Sequence, residues 1–415
     1  MSTFLSDYFH QQKALTHKNY RLFLVGQGLS LIGTWIQRMA MIWLAYQITG
    51  SAFLLGLVGF CEQVPIFALA PVAGVYADRW DKLKALKWIE LFALLQAVLL
   101  GVLTLMDMVN IWHLIALSLT LGVINAFEVP LRQSFVVDMV DRDKGALGNA
   151  IALNSTVFNM TRLVGPSIAG VLISVVGEGW CFMANGLSYG IVLISLFSMR
   201  LNLPRVINEG KAEVWNKLKE GFEYISTHKI MKSLLLMLAV ISFSNASLKT
   251  LAPIFAEEVL QGDANTLGWL MTAGGVGAII GALFLTKNKT TGTLNVIITF
   301  TGILLGIGML GFAGSKILIF SLFFTAVAGL GQMMHTASTN TLLQLYTHDD
   351  KRGRVMSFYT VCLQGTMPFG SLVAGFIAEH INAQISMLCM GILCIAATLI
   401  FKGKQGIAQL HRRIH

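Results

Sequence analysis

Apolar runs of 20 or more residues recur along the whole chain. "LNVIITFTGILLGIGMLGFAG", Leu294 to Gly314, is one of them and carries no charge at all. A run of that length crosses the roughly 30 Å hydrocarbon core of a bilayer as a helix. A soluble protein would have to bury every such run, and a chain 55% hydrophobic and only 12% charged has too little polar sequence to cover them. Mean hydropathy is +0.68. Runs read against turn signals predict an all-α membrane protein with twelve transmembrane helices. These fall at about 20–47, 52–77, 85–106, 111–137, 147–176, 180–200, 232–257, 266–286, 293–312, 317–345, 354–378 and 383–402. The polar start of the chain, "HQQKALTHKNY", lacks the short apolar core of a removable signal peptide.

Basic residues orient the chain. Of 30 Lys and Arg, one (Lys316) falls in loops on one face, four (Arg38, Arg132, Arg162, Lys249) lie within spans, and the remaining 25 fall on the other face. Both termini are therefore expected in the cytoplasm. The net charge of +9 reads as a bias toward the anionic leaflet rather than a signal for nucleic acid. The five cysteines lie singly in apolar runs, without metal or redox spacing. One long polar break, 201–231, separates 1–200 from 232–415 and divides six spans from six. Trp215, Leu218, Phe222 and Ile225 within it recur at helical steps, which fits an amphipathic surface helix or a plain linker.

An ionisable group at mid-depth is costly unless paired or hydrated, so each is a candidate for function. Arg38 and Glu62 lie equally far from the turn at Gly50, roughly 18 Å of helix on each side, so they share one depth. Structural pairing and proton carriage by Glu62 both fit. "NAFEVPLRQS" places Glu128 and Arg132 one turn apart, with Asn125 on the preceding turn and Pro130 loosening the helix between them. Arg162, with Asn159 nearby, is a second possible partner for Glu128. In the second half Asn245, Lys249, His335 and Asn340 are the polar candidates. His335 titrates near neutrality when exposed, yet a hydrogen-bonding role fits it equally.

The halves echo each other. "APVAGVYADRWDKLK" answers "GAIIGALFLTKNKTT", and "RLVGPSIAG" answers "MPFGSLVAG", at nearly equal offsets. Two six-helix bundles related by an axis along the membrane normal follow. "GVYADRWDKLK" resembles the signature Gly-x-x-x-Asp-Arg-x-Gly-Arg-Lys of the major facilitator superfamily, with Asp81 at the family's glycine. "RLVGPSIAG" resembles its antiporter-type motif, keeping Gly165, Pro166 and Gly170 but placing Thr161 and Ala169 at two glycine positions. Together with "KEGFEYI", these segments are most similar to the enterobactin-exporter and macrolide-efflux branch. The resemblance implies the major facilitator fold, a monomer in lipid, and a cytoplasmic gate of Gly74, Asp78, Arg79, Lys82, Asp138 and Arg354. In that gate Asp78 faces the helix start near Arg354, and Arg79 or Lys82 pairs with Asp138.

The resemblance further implies a proton-coupled exporter in the bacterial inner membrane. It would move a small amphipathic molecule, a drug or siderophore, by alternating access without a cofactor. An importer of a siderophore complex or other polar solute has the same fold. An intramembrane enzyme would need a His-Glu-x-x-His, Gly-x-Ser-x-Gly or phosphate-loop motif, none of which occurs. A channel fits poorly with two matched halves.

Overall fold

A computed structural model describes residues 13–140, 143–199, 220, 223–285, 291–348 and 351–414. Among the described residues the regular structure is helical throughout. The helices are α1 (Lys18–Thr49), α2 (Ala52–Arg79), α3 (Lys82–Leu105), α4 (Ile111–Met139), α5 (Lys144–Ser198), α6 (Lys229–Thr250), α7 (Ala264–Leu285), α8 (Thr291–Gly314), α9 (Leu318–Tyr346), α10 (Arg352–Gln364), α11 (Met367–His380) and α12 (Ala383–Ile414). Most of the proposed amphipathic helix in 201–231 lies outside the described residues; 223–227 is helical.

Ten helical segments among the described residues are long and apolar enough to cross a membrane. α1 has the length, at 32 residues, but is more polar, carrying Gln27, Gln37, Arg38 and Gln47. α5, at 55 residues, would extend about 80 Å if straight, far more than a bilayer needs. It breaks at Gly177, whose φ of 81° is open to glycine but strained for other residues. The two expected runs, 147–176 and 180–200, flank that break. The run expected at 354–378 is likewise interrupted, between α10 and α11 at Gly365 and Thr366. There the Thr366 hydroxyl lies 2.9 Å from the Cys362 carbonyl and 3.0 Å from the Ala239 carbonyl on α6. α6 runs on through Ala252–Ile254 into a π-helical turn, Phe255–Val259.

The chain forms two compact units, one of Met1–Ile48 with Val64–Asn208, the other of Thr49–Gln63 with Glu209–His415. The first unit turns its composition inside out, as a lipid-embedded bundle does. On α3, Trp88, Phe92, Leu95, Leu99 and Val102 face outward, while Leu86, Glu90, Ala93, Gln96, Ala97 and Leu100 face inward. Small and polar residues inside allow close helix approach, which water-driven burial does not supply in lipid. Its core joins Tyr20 and Phe23 of α1, Leu86 of α3, Leu131, Phe135 and Met139 of α4, and Val192 and Leu196 of α5. The Tyr20 hydroxyl donates to the Ala150 carbonyl at 2.9 Å and fixes α1 against α5. In the second unit α7 and α9 touch backbone to backbone where Gly277 meets Ala326 and Gly329 meets Gly274. Phe255 stacks on Phe312, their ring centroids 4.4 Å apart, and holds the π-helical turn against α8.

Candidate functional site

α3 and α4 are antiparallel neighbours joined by a short turn at 106–110, where Asn110 caps α4 by accepting from the His113 amide. Two contacts set their register. The Gln96 side-chain amide donates to the Leu117 carbonyl at 3.2 Å. Nearer the other end, Lys82 Nζ lies 3.0 Å from Asp138 Oδ2 and 3.3 Å from the Ser134 carbonyl. Lys82 is thus a partner of Asp138; the side chains of Gly74, Asp78 and Arg79 lie outside the described ones.

Glu90 sits between these two contacts. It follows Leu86 by four residues and precedes Ala93 by three, so helical geometry places it on the inward face, and it is only 4% exposed. At 1.5 Å per residue Glu90 is about 12 Å from the start of α3, level with Glu128 and Arg132 on α4. Arg132 Nε bonds Glu128 Oε1 at 3.2 Å, one helical turn away. Both charges lie close enough to act on Glu90 electrostatically, and among the described residues Glu90 Oε2 has no hydrogen-bond partner. Tyr189 of α5 lies in the same cluster, with Ala93, Ala97 and Ile124.

Beside this cluster, three buried amides link three helices. Asn185 Nδ2 of α5 donates to Gln37 Oε1 of α1 at 2.7 Å, and Gln37 Nε2 donates to Gln96 Oε1 of α3 at 2.9 Å. Charge at mid-depth does not single out Glu90 or the amides. Glu90 lies near the end of its apolar run, where a charge reads as interfacial, and glutamines carry no charge. The available signal was periodicity: Leu86, Glu90, Ala93, Ala97 and Leu100 trace one helical face.

The other candidates are dispersed. Arg38 is half-buried in the first unit, and Glu62 belongs to the second. Asn125 is half-buried with its amide nitrogen unpartnered. Asn159 is exposed and donates to the Ser155 carbonyl at 2.8 Å. Arg162 is half-buried and makes no ion pair among the described residues, so Arg132, one turn away on its own helix, takes Glu128 instead. A Cβ on Gly165 would meet the Trp35 side chain of α1 at 2.7 Å, which explains the glycine; Pro166 and Gly170 are buried.

In the second unit Asn245 is buried and Lys249 is exposed. His335 is fully buried, its Nδ1 3.4 Å from the Ile298 carbonyl and its Nε2 unpartnered. Asn340 accepts from Gln344 at 2.6 Å. Arg354 donates to Glu220, which Lys351 also approaches at 3.6 Å.

The family model described as "Transmembrane secretion effector" matches residues 12–406. The chain therefore belongs to that family of major facilitator transporters, and it is a multi-pass membrane protein that moves small-molecule substrates. It is 28% identical over 383 residues to the Staphyloferrin A transporter of Staphylococcus aureus, covering 92% of this chain and 95% of the relative. It is 22% identical over 381 residues to Macrolide efflux protein A of Streptococcus pyogenes, covering 89% and 92%. Among solved structures, a bacterial homologue of the human lysosomal transporter Spinster aligns with a TM-score of 0.73 at 15% identity, covering 92% of this chain and 96% of that one; that likeness concerns the fold.

Proposed function

We propose that the protein is a proton-coupled exporter of a small amphipathic molecule, a drug or a siderophore, working by alternating access as a monomer in the bacterial inner membrane. The observation that carries this reading is the pair of ionisable residues kept inside a membrane bundle. Glu128 and Arg132 are paired at 3.2 Å with only 13% and 20% of their side-chain surfaces exposed, beside a third ionisable residue, Glu90. Groups so placed are expensive in hydrocarbon and are retained where a proton or polar cargo needs them. Relatives named for siderophore transport and macrolide efflux support the cargo class. Arg38 and Arg162 in the first unit, and Glu62, Asn245 and Lys249 in the second, are further polar groups suited to a cargo with both charged and apolar parts. Counting α1 and the two limbs of α5 each as a span supports twelve crossings, and the distribution of basic residues supports both termini in the cytoplasm.

Inverted membrane vesicles with an imposed pH gradient, offered a panel of fluorescent drugs and ferric siderophores, test the proposal. Accumulation inside the vesicles that an uncoupler abolishes is the expected result. Gradient-driven movement in the opposite sense identifies an importer, and transport indifferent to the gradient removes the proton coupling.

A further inference from the structure

We propose that Glu90 is the proton-binding carboxyl of the first unit, taking up and releasing a single proton as Arg132 shifts between it and Glu128. This rests on the proton-coupled reading above and replaces Glu62 as the leading candidate for the carrier. The argument is one of charge balance in a confined space. Two carboxyl groups and one guanidinium share one depth between α3 and α4. Arg132 is engaged with Glu128. Glu90 is buried, and its Oε2 has neither a donor nor water-accessible surface. An ionised carboxylate there would keep Oε2 without a donor among the described residues, while a neutral carboxylic acid fits the surroundings.

The titratable and charged groups that face Glu90 are Glu128 and Arg132 from α4 and Tyr189 from α5. The nearby charges on its own helix are engaged elsewhere: Lys82 with Asp138, Lys84 with Asp81, and Lys87 4.3 Å above the Phe197 ring. The step balances simply. With Arg132 on Glu128, Glu90 holds its proton as O–H. When Arg132 swings to Glu90, that O–H bond breaks, the proton passes to water, and Glu128 is left without its cation until Arg132 returns and Glu90 is reprotonated from the opposite aqueous phase. With both carboxyls ionised against one cation this state is short-lived, and its cost drives the reprotonation of Glu90, so each cycle carries one proton.

Infrared difference spectroscopy of the full-length protein in lipid films, titrated about neutral pH, reads this directly. It follows the carbonyl stretch of a protonated carboxyl and needs no cargo. The wild type is expected to show such a band and Glu90→Gln to lose it. Glu128→Gln leaves Glu90 in place but frees Arg132, so the band should shrink at neutral pH as Glu90 ionises against the guanidinium. A purely structural Glu90 would not respond that way. A wild type without the band, a band retained in Glu90→Gln, or a band unmoved in Glu128→Gln overturns the proposal. If the band behaves as expected while vesicle transport ignores the pH gradient, Glu90 remains a proton site and the coupling reading alone fails.

Discussion

Asn185 donates to Gln37 at 2.7 Å, and Gln37 in turn donates to Gln96 at 2.9 Å, so one buried amide on α1 ties α5 to α3. Gly33, one turn before Gln37, makes room for this, because a Cβ there would strike Asn185 Oδ1 and approach Ser188 Oγ to 2.6 Å. In lipid, where apolar surface gives no drive between helices, such links help select one arrangement over others.

Replacing the central member, Gln37→Leu, strands the Asn185 donor and the Gln96 acceptor. A buried polar group left unpaired costs about 1–3 kcal/mol, although interhelical bonds in membranes average nearer ~0.6 kcal/mol. The thermal unfolding midpoint in detergent should fall measurably. Gly33→Ala should lower it too, by displacing Asn185 and Ser188. An unchanged midpoint in both variants would show that the amides are incidental.

The Lys82–Asp138 pair closes the opposite end of the α3–α4 hairpin, and its side chains are only 18% and 7% exposed. Asp138→Asn leaves a half-buried ammonium with neutral acceptors, the Ser134 carbonyl among them, and no counter-charge. Transport in vesicles should drop by about tenfold, the equivalent of ~1.4 kcal/mol, with normal amounts of protein in the membrane. The exchange Lys82→Asp with Asp138→Lys should recover much of the loss. No recovery would mean that position matters at these sites rather than pairing.

What could be read in advance follows from how each feature is encoded. Long apolar runs fix helices because hydrocarbon thickness demands them, and a glycine with an adjacent charge, as in Gly177–Glu178, marks where one run ends even though the helices join there. Glu128 and Arg132 were legible as a local pair because four residues make one turn. Which of two arginines Glu128 would choose was not, since Arg162 depends on how α5 lies against α4. Glu90 required knowing which face of α3 turns inward. The amide link needed three helices placed at once, and no spacing along the chain encodes that.

Asp143 offers a test of pH dependence outside the bundle. It caps α5, accepting from the Gly145 amide at 2.8 Å, and the backbone N–H groups of Gly145 and Ala146 hold its carboxyl below the usual aspartate range. A depressed folded value means that the stabilisation is complete above about pH 3.9, the unfolded value, and is lost as pH falls through the lower folded value. Asp143→Asn keeps the cap but not the charge, so its midpoint should track the wild type less steeply on the acid side. Parallel acid limbs in the two proteins would show that the exposed carboxylate contributes nothing.

In the second unit the start of α2 is fastened to α11. Glu379 accepts from the Ser51 hydroxyl at 3.0 Å and from the Phe53 amide at 3.2 Å, capping α2 from another helix. Just inside, a Cβ on Gly375 would lie 2.5 Å from the Ala52 carbonyl, and one on Gly56 would lie 2.7 Å from the Ser371 carbonyl, so both helices approach at backbone distance. Gly375→Leu has no flexible neighbour to displace and should cost at least the ~1–3 kcal/mol of ordinary overpacking. Glu379→Gln keeps the shape and weakens only the cap, for about 1 kcal/mol. Combining the two should cost less than their sum, because the first already separates the groups that the second addresses. Gly148→Ala, whose Cβ would meet nothing within 4 Å, is the matched control and should leave the midpoint unchanged or slightly raised. If Gly375→Leu unfolds at the wild-type temperature, the two helices are free to part there, and the contact carries no stability of its own.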